Sequence, residues 1–332
     1  MKVQGVYQDV PANRLDNDTF NMLAQMREKI GQMIKERPQE WRRALNMRDC
    51  TKLVSRRVKC INRAFFKCAE LCELIPITPR TIVHLCEAPG GFAEFCSSRY
   101  PKAQRASFSL ESEGSIAFAP TVTCARTGLP NDGDICNGHV LRHMKGLFPD
   151  GVDLVTGDGG IHVEQKDIAM EEQVCTKLFL SQVVVTLAIQ RVGGSCFIKF
   201  FEGGTRATVD IVKAMGLFYE GVEVTKPCTS RGSNSERYMV CNGFSKNDEA
   251  MEEFQKIYDT LAMSDHVHLS SVVEEELTAS DLQRFEEFAQ KQIDSIKLLV
   301  ESIECNNFDK LTDERKKDAT FITRMLCSST SK

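Results

Sequence analysis

The chain has 332 residues and 42% hydrophobic content, which is enough for one large core and a smaller extension. Its opening residues are polar and its longest apolar run, at 183–189, is far too short to cross a bilayer, so we expect a soluble intracellular protein without a membrane span. The fourteen cysteines are scattered singly and form no Cys-x-x-Cys pair, which excludes a disulfide scaffold and predicts reduced thiols without a metal site.

The net charge of −4 is unevenly divided along the chain. Residues 35–67 contain eleven lysines and arginines against three acidic residues, whereas residues 247–332 contain nineteen acidic and ten basic residues. A run of like charge is often only a solvated face. Beside a nucleotide-binding site, however, the basic segment becomes a candidate track for a phosphate backbone.

The first predicted elements are helical. Residues 16–47 carry apolar side chains at helical spacing and predict one or two amphipathic helices. Trp41 lies near their end and can either stack on a base or pack against the protein, and we expect packing. Residues 54–75 predict a further amphipathic helix, on which Lys67 is by default a surface lysine.

The stretch TIVHLCEAPGGF at 81–92 predicts a buried strand that turns into a helix. Gly90 and Gly91 remove side chains that would keep a ligand off the turn, and the helix would present free N–H groups to a carboxylate or a phosphate. An ordinary tight turn is the alternative. A second short strand, at 106–110, is followed by Glu111 at the spacing where a carboxylate commonly binds a ribose hydroxyl.

These features predict a nucleotide-like cofactor. Because G-x-G-x-x-G is absent, an adenosine cofactor other than a dinucleotide is favoured. Asp134, in the polar loop at 131–138, can accept a hydrogen bond from an adenine amine, although Asp132 competes for that role. Residues 151–160 predict another strand that runs into a glycine-rich loop, and Asp158 at its carboxyl end should point into the same crevice.

A helix is then predicted over 164–190, ended by Gly193 and Gly194. The next strand, SCFIKFF at 195–201, contains Lys199. A lysine inside a buried strand is costly unless it is paired, so an acidic group should lie nearby; an exposed edge strand is the alternative. Residues 222–227 and 237–244 predict a last strand pair, with Glu236 at the start of the second strand.

A capped helix predicted over 281–304 either packs on the main domain or offers a surface to a protein partner. The chain therefore divides into three predicted parts. These are an N-terminal helical, basic extension at 1–59, a central domain at 60–246 and a C-terminal helical extension at 247–332.

Five segments resemble, in order, the motifs of the FtsJ/RrmJ-type ribose 2′-O-methyltransferases: NRAFFK at 62–67, CEAPGGF at 86–92, the Asp158 loop, GGSCFIKFF at 193–201 and SERYMV at 235–240. The form CEAPGGF looks most like the eukaryotic and viral mRNA-cap enzymes. The resemblance implies an α/β fold, with a Rossmann-like sheet that binds S-adenosylmethionine and helices on both faces. SLESEG at 109–114 departs from the ribosomal members, which usually end this strand directly with an aspartate.

The resemblance also implies roles for single residues. Lys199 would accept a proton or orient the ribose hydroxyl, Asp158 and Glu236 would hold Lys199, and Lys67 would align the hydroxyl. Adjacent carboxylates favour a charged lysine and so oppose its use as a base. The cofactor would contact the turn and two neighbouring loops through Cys86, Glu87, Ala88, Pro89, Gly90, Gly91, Phe92, Glu111, Asp134 and Ile135.

Three functions are compatible with these residues. The first is methyl transfer to a ribose 2′-hydroxyl near the cap of mRNA, with capped mRNA as the partner and the nucleus, the cytoplasm or a viral factory as the location. The second is the same transfer to ribosomal or transfer RNA. The third is a catalytically silent subunit that binds RNA or a polymerase, against which the intact set of four polar residues argues.

Overall fold

The computed structural model describes residues 1–8, 15–126, 128–161, 171–263 and 268–329. Its strands are β1 (Val3–Gln8), β2 (Thr81–Leu85), β3 (Gln104–Ser107), β4 (Val152–Gly157), β5 (Gln190–Phe201), β6 (Tyr219–Thr225), β7 (Glu236–Phe244) and β8 (His268–Val273). Its α-helices are α1 (Asp18–Glu36), α2 (Pro38–Arg48), α3 (Thr51–Val54), α4 (Ala64–Cys72), α5 (Gly91–Arg99), α6 (Gly138–Leu147), α7 (Glu171–Ile189), α8 (Arg206–Ala214), α9 (Asp248–Met263), α10 (Ala279–Glu304) and α11 (Asp309–Ser329).

Six strands form the central sheet, in the order β3-β2-β4-β5-β7-β6. Strands β2 to β5 pair in parallel, whereas β7 lies antiparallel between β5 and β6. The predicted α/β class and the antiparallel last pair are therefore confirmed. Outside the named strands, an isolated parallel bridge joins Ser107 and Ala125.

Alternation along the strands divides the sheet into two apolar faces. On β5, Phe197 packs with α4 and α5, whereas Ile198 and Phe200 belong to the larger core on the other face. Lys199 has the same orientation as Phe197 because the two residues are two positions apart. The lysine therefore points to the face that α4 covers.

The two ends of the chain fold against each other. Strands β1 and β8 form a separate antiparallel pair, although the sequence predicted neither of them. Helix α1 lies against α10, and α2 lies against α11. Trp41 of α2 is buried, as predicted, and the apolar face of α10 is buried in the main core, which is the packing alternative for that helix. The division at 59 and 246 stays a prediction.

Several predicted boundaries were wrong. The apolar periodicity at 54–75 predicted one helix, but α3 ends at Val54 and α4 begins at Ala64. Between them the N–H of Ile61 donates to Glu94, and Asn62 accepts the N–H of Ala64, so these local bonds replace helical ones. Gly193 and Gly194 lie inside β5 rather than at a helix end. The sequence also missed α11.

Helix α7 is the most apolar helix in the described part of the chain that is long enough to cross a membrane. In the structure 72% of its most apolar window is buried inside the protein, so its composition is that of a core helix packed on the sheet. The predicted start of this helix, at 164, lies outside the described residues. All fourteen cysteines are free thiols, as predicted.

Candidate active site

Four separate elements bring the predicted polar residues together at the carboxyl ends of the parallel strands. Lys67 comes from α4, Asp158 directly follows β4, Lys199 lies near the end of β5, and Glu236 is the first residue of β7. Lys67, Lys199 and Glu236 are each less than 10% exposed. Such burial of charge is tolerated only where the charges are paired.

The four side chains form a continuous charged cluster. Lys199 Nζ lies 3.1 Å from Asp158 Oδ1 and 3.9 Å from Glu236 Oε2. Lys67 Nζ lies 3.5 Å from Asp158 Oδ1 and 3.2 Å from Glu236 Oε2. Both lysines thus contact both carboxylates, and the cluster has no net charge when all four groups are ionised. We call these four residues the tetrad; their catalytic roles stay a prediction.

Tyr238 is a fifth polar residue, outside the tetrad but in contact with it, and the sequence did not predict it. Its hydroxyl donates to Asp158 Oδ1 at 2.6 Å and accepts from Lys67 Nζ at 2.9 Å. The side chain is fully buried, and in the sheet register the residue lies directly opposite Lys199. A sequence signal existed, because Glu236 and Tyr238 are two positions apart in a strand and so share a face.

Electrostatics hold the tetrad in its ionised form. Burial would raise the pKa of Glu236, but the charges of Lys67, Lys199 and Lys226 outweigh burial and keep that pKa well below its ordinary value. Burial would likewise lower the pKa of Lys199, but Asp158 and Glu236 outweigh it and raise that pKa. Lys199 is therefore an ammonium group in the free protein at neutral pH.

A second layer of contacts fixes Glu236. Ser230 Oγ donates to Glu236 Oε1 at 2.8 Å, and Lys226 Nζ donates to the Glu236 carbonyl at 2.7 Å. Lys226 also donates to the carbonyl and the side-chain oxygen of Asn234. The loop between β6 and β7 is thereby tied to the tetrad, and burial lowers the pKa of Lys226 to about 7.

The glycine-rich turn between β2 and α5 differs from the sequence prediction in its hydrogen bonding. We expected free N–H groups at the start of α5, but the buried Glu87 carboxylate accepts the N–H of Ala93 at 2.9 Å. The N–H of Phe92 also bonds to that carboxylate. The protein therefore supplies its own hydrogen-bond acceptor to this helix terminus, and a cofactor role for Glu87 stays a prediction.

The two glycines are required by protein packing. Gly90 has a φ of +118°, and a Cβ there would lie 2.2 Å from Val122 Cγ2. A Cβ at Gly91 would lie 2.1 Å from Asn62 Oδ1 and 2.9 Å from the backbone nitrogen of Phe65. The observed reason for glycine is thus the close approach of the 119–122 loop and of α4. Their predicted role in admitting a ligand stays a prediction.

The remaining predicted cofactor residues lie on the two loops beside which the sequence predicts a cofactor crevice. Glu111 and Asp134 are exposed on two loops that are joined by a hydrogen bond from Glu111 N–H to the Asp132 carbonyl. One Asp134 oxygen accepts the N–H of Cys136, which leaves the other for a ligand. Ile135 is buried in the main core, and its carbonyl accepts the Tyr258 hydroxyl, so its side chain faces away from the crevice.

Cys86 links the turn to the tetrad. Its thiol lies within electrostatic range of Lys199, Asp158 and Asp134, and burial raises its pKa. Ala88 and Pro89 follow it on the turn, whereas the Phe92 ring is fully buried against Phe197 and Tyr238. Glu111 and Asp134 therefore offer exposed carboxylates on two loops, and their contacts with the ribose and adenine groups of a cofactor stay predictions.

Two groups of thiols and carboxylates are close enough to share a metal ion in the described part of the chain. One contains Cys68, Cys72 and Cys96, and the other contains Cys50, Cys228 and Asp318. The first group is fully enclosed by apolar side chains of α4 and α5, with sulfur–sulfur distances of 3.7 and 3.9 Å. Burial raises the pKa of Cys68, whereas hydrogen bonds with Cys68 and Cys96 lower the pKa of Cys72 to about 5, and packing in the apolar core holds the three sulfur atoms together.

Comparison with known proteins gives consistent matches. The family model for FtsJ-like methyltransferases matches residues 60–244, which is more than half of the chain. The chain is 32% identical over 178 residues to cap-specific mRNA (nucleoside-2′-O-)-methyltransferase 1 of Caenorhabditis elegans, covering 49% of this chain and 19% of that protein. It is 26% identical over 190 residues to the cap-specific mRNA (nucleoside-2′-O-)-methyltransferase of Autographa californica nuclear polyhedrosis virus, covering 54% of this chain and 72% of that protein.

A third relative is described as inactive. The chain is 28% identical over 172 residues to the inactive cap-specific mRNA (nucleoside-2′-O-)-methyltransferase 1B of Caenorhabditis briggsae, covering 48% of this chain and 20% of that protein. The chain thus spans about a fifth of the length of the two nematode relatives. Similarity alone consequently does not establish an activity.

Glu87 makes the stability of the protein depend on pH. Burial is the main cause that raises its pKa from 4.5 to about 8, and the charge of Asp158 acts in the same direction. The N–H groups of Ala93 and Phe92 and the charge of Lys67 act in the opposite direction but are outweighed. The folded state therefore binds a proton that the unfolded state has lost between pH 4.5 and 8, and stability falls as pH rises through that window. Glu87→Gln keeps the acceptor oxygen and removes the titration.

From pH 5 to pH 8 we expect the unfolding free energy of the natural protein to fall by about 2 to 4 kcal/mol more than that of Glu87→Gln. Urea denaturation at both pH values measures the difference. Glu249→Gln, on an exposed face of α9, is the matched control. Its unfolding free energy should change with pH by the same amount as that of the natural protein. A pH dependence in Glu87→Gln equal to that of the natural protein would show that Glu87 does not titrate in this range.

Proposed function

Because this chain belongs to the FtsJ-like methyltransferase family, we propose that it transfers the methyl group of S-adenosylmethionine to a ribose 2′-hydroxyl of RNA. The observation that supports this proposal most strongly is the buried tetrad of two lysines and two carboxylates at the carboxyl edge of the sheet. Open α/β sheets bind their ligands at this edge.

The tetrad suits the chemical problem of the reaction. A ribose 2′-hydroxyl is a weak nucleophile, so it must be held in line with the methyl carbon and must lose its proton as the new bond forms. When bound, S-adenosylmethionine supplies a methyl group activated by a positively charged sulfur. Lys199 is the group that contacts the hydroxyl oxygen, and Lys67 aligns the ribose from the α4 side.

Two roles for Lys199 were open from the sequence, namely proton acceptor and orienting group. Its raised pKa supports the orienting role in the free protein, because the ammonium can donate a hydrogen bond to the 2′-oxygen but cannot accept a proton. Asp158 and Glu236 hold the ammonium in place, and Tyr238 fixes the carboxylate of Asp158. One oxygen lone pair is thereby directed toward the methyl carbon, and the proton that the hydroxyl loses as the O–C bond forms passes to a carboxylate oxygen of the tetrad or to water.

The preferred substrate is mRNA at a nucleotide near the cap, modified in the nucleus or the cytoplasm. The names of the nematode and viral relatives support this choice over ribosomal or transfer RNA. The intact tetrad supports an enzyme over a silent subunit, and this point matters because one relative is described as inactive. The RNA itself is the proposed partner.

Substrate choice is tested with transcripts that differ only in the cap. We expect the protein to incorporate labelled methyl groups into capped RNA at least about tenfold faster than into uncapped RNA of the same sequence, because a missing set of binding contacts costs at least about 1.4 kcal/mol. Mapping the nuclease-resistant linkage then identifies the nucleotide. Equal rates on both transcripts, with modification at an internal site, would favour a ribosomal or transfer RNA substrate.

Removal of the Lys199 ammonium should abolish most of the activity. We expect Lys199→Ala to lower the rate of methyl transfer by about 10²- to 10⁴-fold, the usual contribution of a positioned polar catalytic group. Its affinity for S-adenosylmethionine, measured by calorimetry, should stay within about twofold. Lys213→Ala removes a lysine that pairs with Asp281 away from the tetrad and serves as the control. If Lys199→Ala transferred methyl groups at the natural rate, the proposed catalytic role of the tetrad would be wrong.

The adenine contact can be assigned by comparing two neighbouring aspartates. We expect Asp134→Asn to weaken binding of S-adenosylmethionine about tenfold, because a charge-assisted hydrogen bond becomes a neutral one. Asp132→Asn is the matched control on the same loop and should leave the affinity unchanged. Calorimetric titration measures both, and the opposite result would move the adenine contact to Asp132.

A further inference from the structure

Two arginines beside the tetrad have no carboxylate partner. Arg63 immediately precedes α4 and Arg231 lies in the loop between β6 and β7. Within the described ranges neither of them forms an ion pair, and Arg63 Nη1 is buried without a hydrogen-bond partner. We call them the arginine pair. A buried donor that finds no acceptor in the protein is costly unless a ligand supplies one.

Chain geometry places the arginine pair next to the tetrad. Arg63 is four residues before Lys67, which corresponds to one helical turn, so the two side chains project from the same side of the start of α4. Arg231 directly follows Ser230, whose hydroxyl donates to Glu236 Oε1 at 2.8 Å. The arginine pair therefore flanks the tetrad from two different elements.

The two guanidinium groups are close enough to repel each other. The carboxylates that face Arg231 are those of Asp49 and Glu236. Asp49 Oδ1 is already bonded to the N–H and hydroxyl of Thr51, and Glu236 is held by the tetrad lysines. Two unneutralised positive charges at short range favour an anion from outside the protein.

The positive charge continues away from the tetrad. Lys52 on α3 and the cations Arg56, Arg57 and Lys59 after it are exposed and form no ion pair within the described residues. Lys52 and Arg56 also line an open groove of about 540 Å³, together with Arg42, Arg43 and Arg315. This surface is strongly basic although the chain as a whole has a net charge of −4. Several exposed cations on the segments that precede α4, the helix of Lys67, match a phosphate backbone better than a single anion.

We propose that the arginine pair binds a phosphodiester of the RNA substrate adjacent to the nucleotide whose ribose enters the tetrad, and that the basic surface of α2 and α3 binds the phosphates that follow. This inference rests on the proposed function. Planar guanidinium groups form paired hydrogen bonds with phosphate oxygens, so two of them fix both the position and the orientation of the backbone. The ribose hydroxyl is thereby brought to Lys199 in one register.

The inference is tested by RNA binding rather than by activity alone. We expect Arg63→Gln and Arg231→Gln each to weaken binding of a fluorescent oligoribonucleotide about 10- to 100-fold in anisotropy measurements. Each variant should also reduce the slope of log affinity against log salt concentration by about 0.7, the value for one lost phosphate contact on a single strand. The affinity for S-adenosylmethionine should stay within about twofold.

The control is Arg80→Gln. Arg80 precedes β2 at the opposite edge of the sheet, and its side chain is 82% exposed, so its removal should leave RNA affinity and salt slope unchanged. Arg63→Lys keeps the charge and loses the paired geometry, and we expect it to restore the salt slope but only part of the affinity. Because Arg231 lies on a surface loop, its variant tests the inference even if a change at Arg63 disturbs α4.

Two failures can be told apart. If the natural protein binds and methylates RNA while both arginine variants match it in affinity and salt slope, the arginine pair does not contact the backbone and the proposed function stands. If the natural protein binds S-adenosylmethionine but neither binds nor methylates RNA, the proposed function and the inference both fail.

Discussion

The pairing of two buried lysines with two carboxylates is the interaction on which the rest of the site depends. Removing one partner from such a group leaves an uncompensated charge in a low-dielectric environment, which typically costs about 3 to 5 kcal/mol. The pairing therefore requires α4, β4, β5 and β7 to meet at one point. Tyr238 strengthens this requirement, because its hydroxyl bonds to Asp158 and Lys67 at once. A shift of any one of these elements would separate charges that have no other partner close by.

The position of Lys199 also depends on the ends of the chain. Glu202 follows β5 and is fully buried, and its carboxylate pairs with the buried guanidinium of Arg27 on α1. Arg27 pairs in addition with Glu171 at 3.0 Å. Helix α1 in turn lies against α10 of the acidic C-terminal part. The N-terminal and C-terminal elements thus brace the end of the strand that carries the central lysine.

The sequence predicted which residues form the site better than it predicted the contacts between distant segments. Lys199 in a hydrophobic strand indicated a nearby acid; Asp158 was named at the carboxyl end of one predicted strand, and Glu236 at the start of another. Tyr238 was missed because its role depends on the register of β5 against β7, which brings it opposite Lys199. Strands β1 and β8 were missed for a similar reason, since their pairing joins residues at opposite ends of the chain and neither has a strong local pattern.

At the glycine-rich turn the structure shows a physical reason for the motif that the sequence did not reveal. Local sequence shows that Gly90 and Gly91 leave space, but only the fold shows that Val122 and Asn62 occupy the approach to it. Likewise, a helix terminus predicts an acceptor for its free N–H groups, and here the side chain of Glu87 from the same turn supplies one. Such close contacts between distant segments depend on tertiary packing and have no periodic signal in the chain.

The most direct measurement is a crystal structure of the protein with S-adenosylhomocysteine and a short capped RNA. The account predicts that a ribose 2′-oxygen lies about 3 Å from Lys199 Nζ, within hydrogen-bond distance, and faces the sulfur of the cofactor. A ribose bound elsewhere, or a Lys199 side chain turned away from Asp158 in that complex, would contradict it.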